Sequence, residues 1–384
     1  MNLLIINYEY PPVGGGSSYA GREMAKAMVK LGHEITMVTS RTPLLKGYSE
    51  ENGVRIIRLR SLRARIDRSN ILEMAIFMIS ALFSIKKIAT KYRIEGSICF
   101  FSFPGGPIGL FLQKQLGLPY VVSLRGGDVP GLEPKLENIH FLLKRFRQKI
   151  FANAEAIVAN SDDLAERSRA VDSFPTFVIP NGIDADYFCP VNSRRQNEHD
   201  RPLSLLFVGR LQRQKEVPNL ISKLALIRTR YKLRFVLTVV GDGPDLLETQ
   251  RIASEHMMSD VIDWRGWLDR ESLRNVYQQS DCLLNLSSYE GLPNVVLEAM
   301  ACGLVIVASK IGPHEELVEE GVNGFLISKS DTQGLSRILA ELVSDRGRCH
   351  KMGMSSRRKA LDCFTWEAVA DGYVKCFIKK PLQL

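Results

Sequence analysis

Residues Cys282 to Ser309 read CLLNLSSYEGLPNVVLEAMACGLVIVAS, and no other stretch restricts the fold of the chain as much. Two apolar runs of strand length, CLLNLS and LVIVAS, flank a polar loop and one short helical pattern. Pro293 suits the first turn of that helix, where its missing N–H costs nothing. Gly303 suits the left-handed cap that ends it. The order strand, loop, helix, strand is the repeating unit of an α/β sheet. In such units ligands bind at the carboxyl ends of the strands, against the helix N-terminus.

Two carboxylates make the unit unusual. Glu290 lies in the loop just beyond the first strand, and Glu298 lies in an otherwise apolar turn of the helix. An ionised carboxylate there is costly unless something hydrogen-bonds it. Helical side chains lean toward the helix N-terminus, so Glu298 reaches back toward the loop that holds Glu290. Two acceptors beside a helix N-terminus suit a ligand with several hydroxyls and a phosphate, and a nucleotide sugar is such a ligand. Spacing alone leaves the plainer alternative open: one Glu at a helix start and another bonded to nearby backbone.

The same unit recurs along the chain. LLIIN, a loop with Gly14, Gly15 and Gly16, a helical pattern from about Ser17 to Leu31 and the strand EITMVTS form one at the start. The glycines allow backbone N–H groups to approach a phosphate, although the full G-x-G-x-x-G spacing is missing. Strand-like VRIIRLR, SICFFSFP, PYVVSLRGGD, AIVANS and TFVIPNGID follow. Ser161 is placed to cap the helix starting at Asp162. Polar, aperiodic SRRQNEHDRP reads as a linker. LSLLFVGRL, RFVLTVVGDGPD, VIDWRGWL, the Cys282–Ser309 stretch and GFLIS then supply a second set of strands, and two helices complete the chain. The alternation predicts two doubly wound, Rossmann-like α/β domains facing a cleft.

A length of 384 residues with 45% hydrophobic content fits two globular domains. Seven Cys, with no C-x-x-C and no metal-spaced Cys/His cluster, indicate a reducing compartment without structural zinc. MNLLIINYEY reads as a strand, not a signal peptide, and no apolar run reaches membrane-spanning length. A cytoplasmic protein is therefore expected. The formal charge of +9 implies an anionic partner. No basic patch of RNA-binding type is interleaved with aromatics, so nucleic acid is not expected. The basic residues gather at Arg55, Arg58, Arg60, Arg63, Arg65 and Arg68, and again at Lys144, Arg145, Arg147 and Lys149. Between them and along Ile71 to Ile88 runs a helical pattern that either rests on an anionic membrane surface or packs on the first domain's sheet. Either basic group can equally be a solvated face.

Arg210 and Lys215 follow a strand end and suit a diphosphate, Arg as a bidentate partner and Lys as a point charge. Asp184 and Asp186 have D-x-D spacing but follow Asn181-Gly182 and read as a turn, so no metal site is expected. The six His residues form no H-x-x-x-H, and G-x-S-x-G is absent, which leaves hydrolase triads and zinc peptidase chemistry without support.

Taken together, PPVGGGSSYAGREMAKAMVKLGHEITMVTS, VIPNGIDADYFCP, LLFVGRLQRQK, LTVVGDGP, VIDWRGWL, SSYEGLPNVVLEAMACGLVIVAS and FTWEAVADGY resemble, in order and spacing, glycosyltransferase family 4. Glu290 and Glu298 match its E-x7-E motif. The resemblance implies the GT-B fold: an acceptor-binding domain over 1–190, a linker over 191–202, a nucleotide-sugar domain over 203–364, and a final helix over 365–384 crossing back to the first domain. It implies a retaining, metal-independent hexosyltransferase with no cofactor. The donor would be a UDP- or GDP-sugar, and the acceptor a glycan or lipid-linked molecule of bacterial surface polysaccharide synthesis at the inner face of the membrane.

By the same resemblance Arg210 and Lys215 hold the donor diphosphate, Glu298 bonds the ribose and Glu290 the donor sugar. Gly291, Leu292 and Pro293 bring backbone amides to phosphate and sugar. The Gly15-Gly16 loop closes over the diphosphate, and backbone near Arg265 and Gly266 meets the base. The departing phosphate takes the acceptor's proton; Glu290 as nucleophile is the rival. Three positions depart from the pattern. Arg125 stands where many members have His and cannot act as a neutral base, which leaves it an electrostatic role in catalysis. Glu216 stands where Gly is usual. His314 replaces a small residue and either touches the donor sugar or faces solvent. A sugar-nucleotide epimerase and an inactive relative serving as an assembly partner are the alternatives.

Overall fold

A computed structural model describes residues 1–45, 47–63, 70–132, 136–191 and 201–378. The chain forms two compact units, Met1–Gly182 joined by the segment from Trp366, and Ile183–Thr365. Unit 1 contains β1 (Asn2–Ile6), α1 (Gly16–Lys30), β2 (Glu34–Ser40), β3 (Tyr48–Glu51), β4 (Val54–Leu59), α2 (Ile71–Lys91), β5 (Gly96–Phe100), α3 (Gly106–Leu116), β6 (Tyr120–Ser123), α4 (Glu137–Ala152), β7 (Ala156–Ala159), α5 (Asp162–Asp172) and β8 (Phe177–Val178). Its sheet has the order β3-β4-β2-β1-β5-β6-β7-β8, parallel except where β3 meets β4. The central strands are covered on both faces, which is why they read as unbroken apolar runs: Leu3, Leu4, Ile5 and Ile6 are all fully buried.

Helices α2, α3 and α4 share one core on one face of this sheet, through Phe77 and Ile85, Ile108 and Leu112, and Ile150 and Phe151. Helix α1 belongs to a second core. Local signals set the helix starts. Asn70 Oδ1 accepts Glu73 N–H at 2.8 Å while Glu73 Oε2 accepts Asn70 N–H at 3.0 Å, a reciprocal capping box that opens α2. Ser161 caps α5 as its sequence position predicts, accepting Leu164 N–H at 3.2 Å.

Unit 2 contains β9 (Leu203–Val208), α6 (Val217–Tyr231), β10 (Phe235–Val240), α7 (Leu246–Glu255), β11 (Ile262–Gly266), α8 (Arg270–Gln279), β12 (Cys282–Asn285), α9 (Asn294–Ala301), β13 (Val305–Ser309), α10 (Gly312–Leu317), β14 (Gly324–Ile327), α11 (Thr332–Ser344) and α12 (Arg346–Cys363). All its strand pairs are parallel, in the order β11-β10-β9-β12-β13-β14. The order reverses between β9 and β12. Helix α13 (Trp366–Ile378) returns to unit 1, where Trp366, Val369, Ala370, Tyr373 and Val374 bury against Ala20, Met24 and Met28. Each large apolar side chain buried in this way contributes about 1.5–3 kcal/mol.

Several boundaries differ from those the sequence suggests. Ile183, Ala185 and Phe188 are buried in a unit 2 core with Tyr277 and Leu297, so the chain crosses into unit 2 after Gly182 and not near 190. Of the expected linker 191–202, residues 192–200 lie outside the described residues. After β14 the described residues form three helices, not two, because Asp345 accepts Arg348 N–H at 2.8 Å and starts a new helix. The run SICFFSFP is strand only to Phe100, since Phe101 turns the backbone at φ 66.

The basic groups also divide. Arg55 pairs with Glu34, and Arg58 donates to Ser49 Oγ at 2.7 Å. Arg63 is buried with Glu9, 3.4 Å away. Arg147 is buried against Asp172 at 2.6 Å. Lys144, Arg145 and Lys149 remain exposed. Arg65 and Arg68 lie outside the described residues. Helix α2 packs on the sheet, and it also keeps an exposed face. Among the described residues no helix is long and apolar enough to cross a membrane.

Candidate functional site

In unit 2 the loops after β9 and β12 leave the sheet where its order reverses, the place where open α/β sheets bind ligands. Glycines bring the strand ends together. A Cβ on Gly241, at φ +129, would lie 1.9 Å from the Gly209 carbonyl oxygen. Only glycine lets β10 finish this close to β9. The two loops are then joined by hydrogen bonds. Gln214 Nε2 donates to Tyr289 O at 2.6 Å, and Ser288 N–H donates to Gln214 O at 2.8 Å.

Lys215 sits in a short turn after β9, and its ammonium is paired with the Glu290 carboxylate. Both side chains are largely buried, at 13% and 9% exposure, so each charge relies on the other. The sequence predicts both as site residues but not their pairing. Arg210, also predicted, is exposed in the same loop after β9. Glu216 adopts φ 55, the left-handed conformation that explains why glycine suits this position. Its carboxylate accepts Ser288 Oγ at 2.6 Å, which ties the extra negative charge to the Glu290 loop.

Glu298 lies on α9, and its Oε2 accepts the Tyr277 hydroxyl of α8 at 2.9 Å. Desolvation pushes its carboxyl up to about 7, against the opposing influence of the Tyr277 hydrogen bond and Arg270. The apolar turn around Glu298 is thus explained by a dedicated phenol partner. Gly291 is half-buried, while Leu292 and Pro293 are buried. Pro293 is the N-cap of α9 and not its first residue, and as proline it has no N–H to offer. Of the three expected amide donors it must be struck out, leaving Gly291 and Leu292.

Gly266 ends β11, and its carbonyl accepts Gly241 N–H at 2.7 Å. The Arg265 side chain turns to Asp263, 2.6 Å away. His314 does not face solvent: it is fully buried. Its Nδ1–H donates to Ser309 O at 2.8 Å, and burial lowers its pKa, which favours the neutral ring. Glu290 and Lys215 act on it with opposite signs. Asp184 caps its own turn by accepting Tyr187 N–H at 3.1 Å and lies 3.4 Å from Arg270, in keeping with a turn at D-x-D.

In unit 1, Gly15 is the N-cap of α1 and Gly16 its first residue. A Cβ on Gly14 would lie 2.6 Å from the Glu9 carboxyl, so the glycine run wraps that side chain. Arg125 is held on three sides within the unit. Its guanidinium lies 4.2 Å over the Phe100 ring, donates to Asn181 Oδ1 at 2.6 Å and reaches the Tyr373 hydroxyl at 3.4 Å. Asp128 fixes the backbone beneath, accepting Arg125 N–H at 2.9 Å and Ser102 N–H at 2.8 Å. A cavity of ≈ 480 Å³ opens beside this loop. Met74, Met78, Ile139, Leu143 and Phe103 line it, with Glu9 and His140 as polar groups.

Sequence reasoning missed Tyr277, Gln214 and Ser288. For Tyr277 a signal existed. It follows Leu273 and Val276 on the buried side of α8, and a buried tyrosine hydroxyl needs a partner.

Comparison with known proteins agrees with this fold. Residues 13–187 match the model of Glycosyltransferase Family 4, and residues 191–359 match that of Glycosyl transferases group 1. An uncharacterized glycosyltransferase of Methanocaldococcus jannaschii is 24% identical, over 98% of each chain. Among solved structures, sucrose-phosphate synthase from Thermosynechococcus elongatus superposes with a TM-score of 0.82 at 22% identity, covering 98% of both chains. Anabaena Alr3699/HepE, solved in complex with UDP-glucose, superposes with a TM-score of 0.75 at 19% identity, again over 98% of each.

Proposed function

We propose, on the premise that the chain belongs to the group 1 (family 4) glycosyltransferases with the GT-B fold, that it moves a hexose-type sugar from a UDP- or GDP-sugar to a glycan or lipid-linked acceptor. The setting we propose is bacterial surface polysaccharide synthesis at the cytoplasmic face of the membrane. The observation that carries this reading is the largely buried Lys215–Glu290 pair at the strand ends of unit 2, with Glu298 held by Tyr277 on the helix that follows the Glu290 loop.

The chemistry follows from what each group can do. Lys215 leaves Glu290 for the donor diphosphate, with the exposed Arg210 as a second cation, and together they stabilise the negative charge that grows on the departing phosphate. Glu290, released from its pair, accepts hydroxyl hydrogen bonds from the donor sugar. Glu298 accepts those of the ribose. The Gly291 and Leu292 amides add neutral donors. The bond from the anomeric carbon to the phosphate oxygen breaks as the acceptor oxygen bonds to the same carbon on the same face. The acceptor's proton passes to the departing phosphate oxygen, so the configuration is retained without an enzyme nucleophile, metal or cofactor. Unit 1, with its apolar cavity, receives the acceptor.

The test is a thermal-shift panel of nucleotide sugars, since a ligand bound only by the folded state raises the melting temperature. Incubation with the best donor and a simple hexoside, in the presence of a chelator, follows. Release of nucleoside diphosphate and a product with the donor's anomeric configuration are expected. A chain that binds neither UDP nor GDP and releases no nucleotide overturns the reading. Inversion of a sugar stereocentre without acceptor replaces it with epimerase activity.

A further inference from the structure

Helices α2 and α4 carry large apolar side chains that are exposed among the described residues. Phe83 is 86% exposed, Phe141 84% and Leu142 80%, and Leu72 and Ile79 are also exposed. A soluble surface seldom leaves apolar groups so concentrated without a partner. The two helices belong to the layer that covers one face of the unit 1 sheet, so their outer sides point away from the same core. They also meet at one cavity, lined by Met74 and Met78 from α2 and Ile139 and Leu143 from α4. Ile71 both lines that cavity and is 56% exposed, which joins the recess to the surface.

The charge on this surface is predominantly positive. Lys86, Lys87 and Lys91 of α2 and Lys144, Arg145 and Lys149 of α4 are all exposed. Of the two acidic residues on these helices, Glu73 is buried in the capping box, and Glu137 is exposed and accepts Gly131 N–H at 2.6 Å, against six exposed cations. Lys114, at the end of α3, lies close enough to Lys149 that their repulsion lowers its pKa. Cations that outnumber the carboxylates around them suit a polyanionic partner, and exposed aromatics among lysines suit an interface with a polar and an apolar layer.

We infer that the outer face of α2 and α4 is a docking surface for an anionic lipid bilayer, into which Phe83, Phe141 and Leu142 insert. The inference rests on the proposed function for its purpose, a lipid-linked acceptor whose chain enters the cavity between the helices. Lipid binding itself is a property of this surface and is measured without any sugar. The docking face differs from the first basic group, where Arg55, Arg58 and Arg63 have partners inside unit 1.

The experiment is flotation of the full chain with vesicles of phosphatidylcholine alone or with about 30% phosphatidylglycerol, at low and high salt. Binding to the anionic vesicles, weakened by salt, is expected. Replacing Phe83→Ser, Phe141→Ser and Leu142→Ser together reduces it by about tenfold or more, and Lys144→Glu with Arg145→Glu abolishes it at low salt. Both variants change exposed positions, and an unchanged melting temperature verifies their fold. Wild-type binding by both variants, or no binding by the parent chain, overturns the inference. So does a parent chain that dimerises through these residues and ignores vesicles. A chain that transfers sugar to a water-soluble acceptor yet ignores vesicles sinks the docking surface alone. One that binds vesicles and releases no nucleotide sinks the proposed transfer alone.

Discussion

At the strand ends of unit 2, charged and polar side chains are already gathered and matched: Lys215 with Glu290, Ser288 with Glu216, Tyr277 with Glu298. At the strand ends of unit 1 lies an apolar cavity, and the charges near it are turned inward, Arg63 to Glu9 and Arg125 to Asn181. Both units solve the same folding problem with parallel strands and covering helices. They differ in what the loops do afterwards. A diphosphate and a ribose present fixed charges and hydroxyls, which reward pre-aligned partners. An apolar recess selects by shape and dehydration, and a change in the loops can reshape it without disturbing the charges of the other unit.

Substitutions sharpen or break this contrast. The largest effect is expected from Lys215→Ala, which removes the phosphate cation and leaves Glu290 unpaired. Turnover should fall on the order of 10³-fold, about 4 kcal/mol in the barrier, with the fold intact. Near-normal turnover would mean that the polar ends of unit 2 are not where the donor reacts. Next is Arg147→Ala in unit 1, which strands Asp172 in the interior. A loss of about 3 kcal/mol is expected in denaturant unfolding. If unit 2, followed by its UDP-protected transition, weakens equally, the two units are not separable in energy.

Arg125→Ala should cost about 2 kcal/mol of unit 1 stability, the value of a hydrogen bond made by a charged group plus its ring contact, and leave UDP affinity unchanged. Loss of turnover at full stability would support an electrostatic role for Arg125 in the chemistry.

The smallest effect concerns Glu298. Its carboxyl, at about 7 in place of 4.5, keeps a proton in the native chain that the unfolded chain releases. The stability it contributes is therefore present below about pH 4.5 and declines as pH rises toward and through 7. UDP affinity should change in the opposite sense, rising through pH 7 as the carboxylate forms to accept ribose hydroxyls. Glu298→Gln should flatten both profiles and weaken UDP about tenfold, 1.4 kcal/mol. Unaltered pH profiles would detach Glu298 from the ribose.

The strands of both sheets were legible because strands buried on both faces read as apolar runs, as in LLII and VIVA. Strand β3 was not: YSEE is polar and pairs only at an edge. The charged site residues were legible as types at strand ends. Their pairing was not, since Lys215 and Glu290 are 75 positions apart and meet only through the sheet order. Arg125 was singled out as a departure, but its partners Asn181 and Tyr373 lie 56 and 248 positions away. Arg147 sat unnoticed in a basic run. Its spacing to His140, Ile150 and Phe151 places it on the buried side of α4, and that periodicity could have identified it.

The return of α13 to unit 1 bears on the order in which the molecule can be made. During synthesis residues 183–365 emerge, and can close their sheet, before the helix that completes the core around Met24 and Met28 exists. The segment made before unit 2 is thus completed only after it. Until Trp366, Tyr373 and Val374 arrive, it holds an uncovered apolar face for the time needed to make a whole domain, the interval in which chaperones have most to protect.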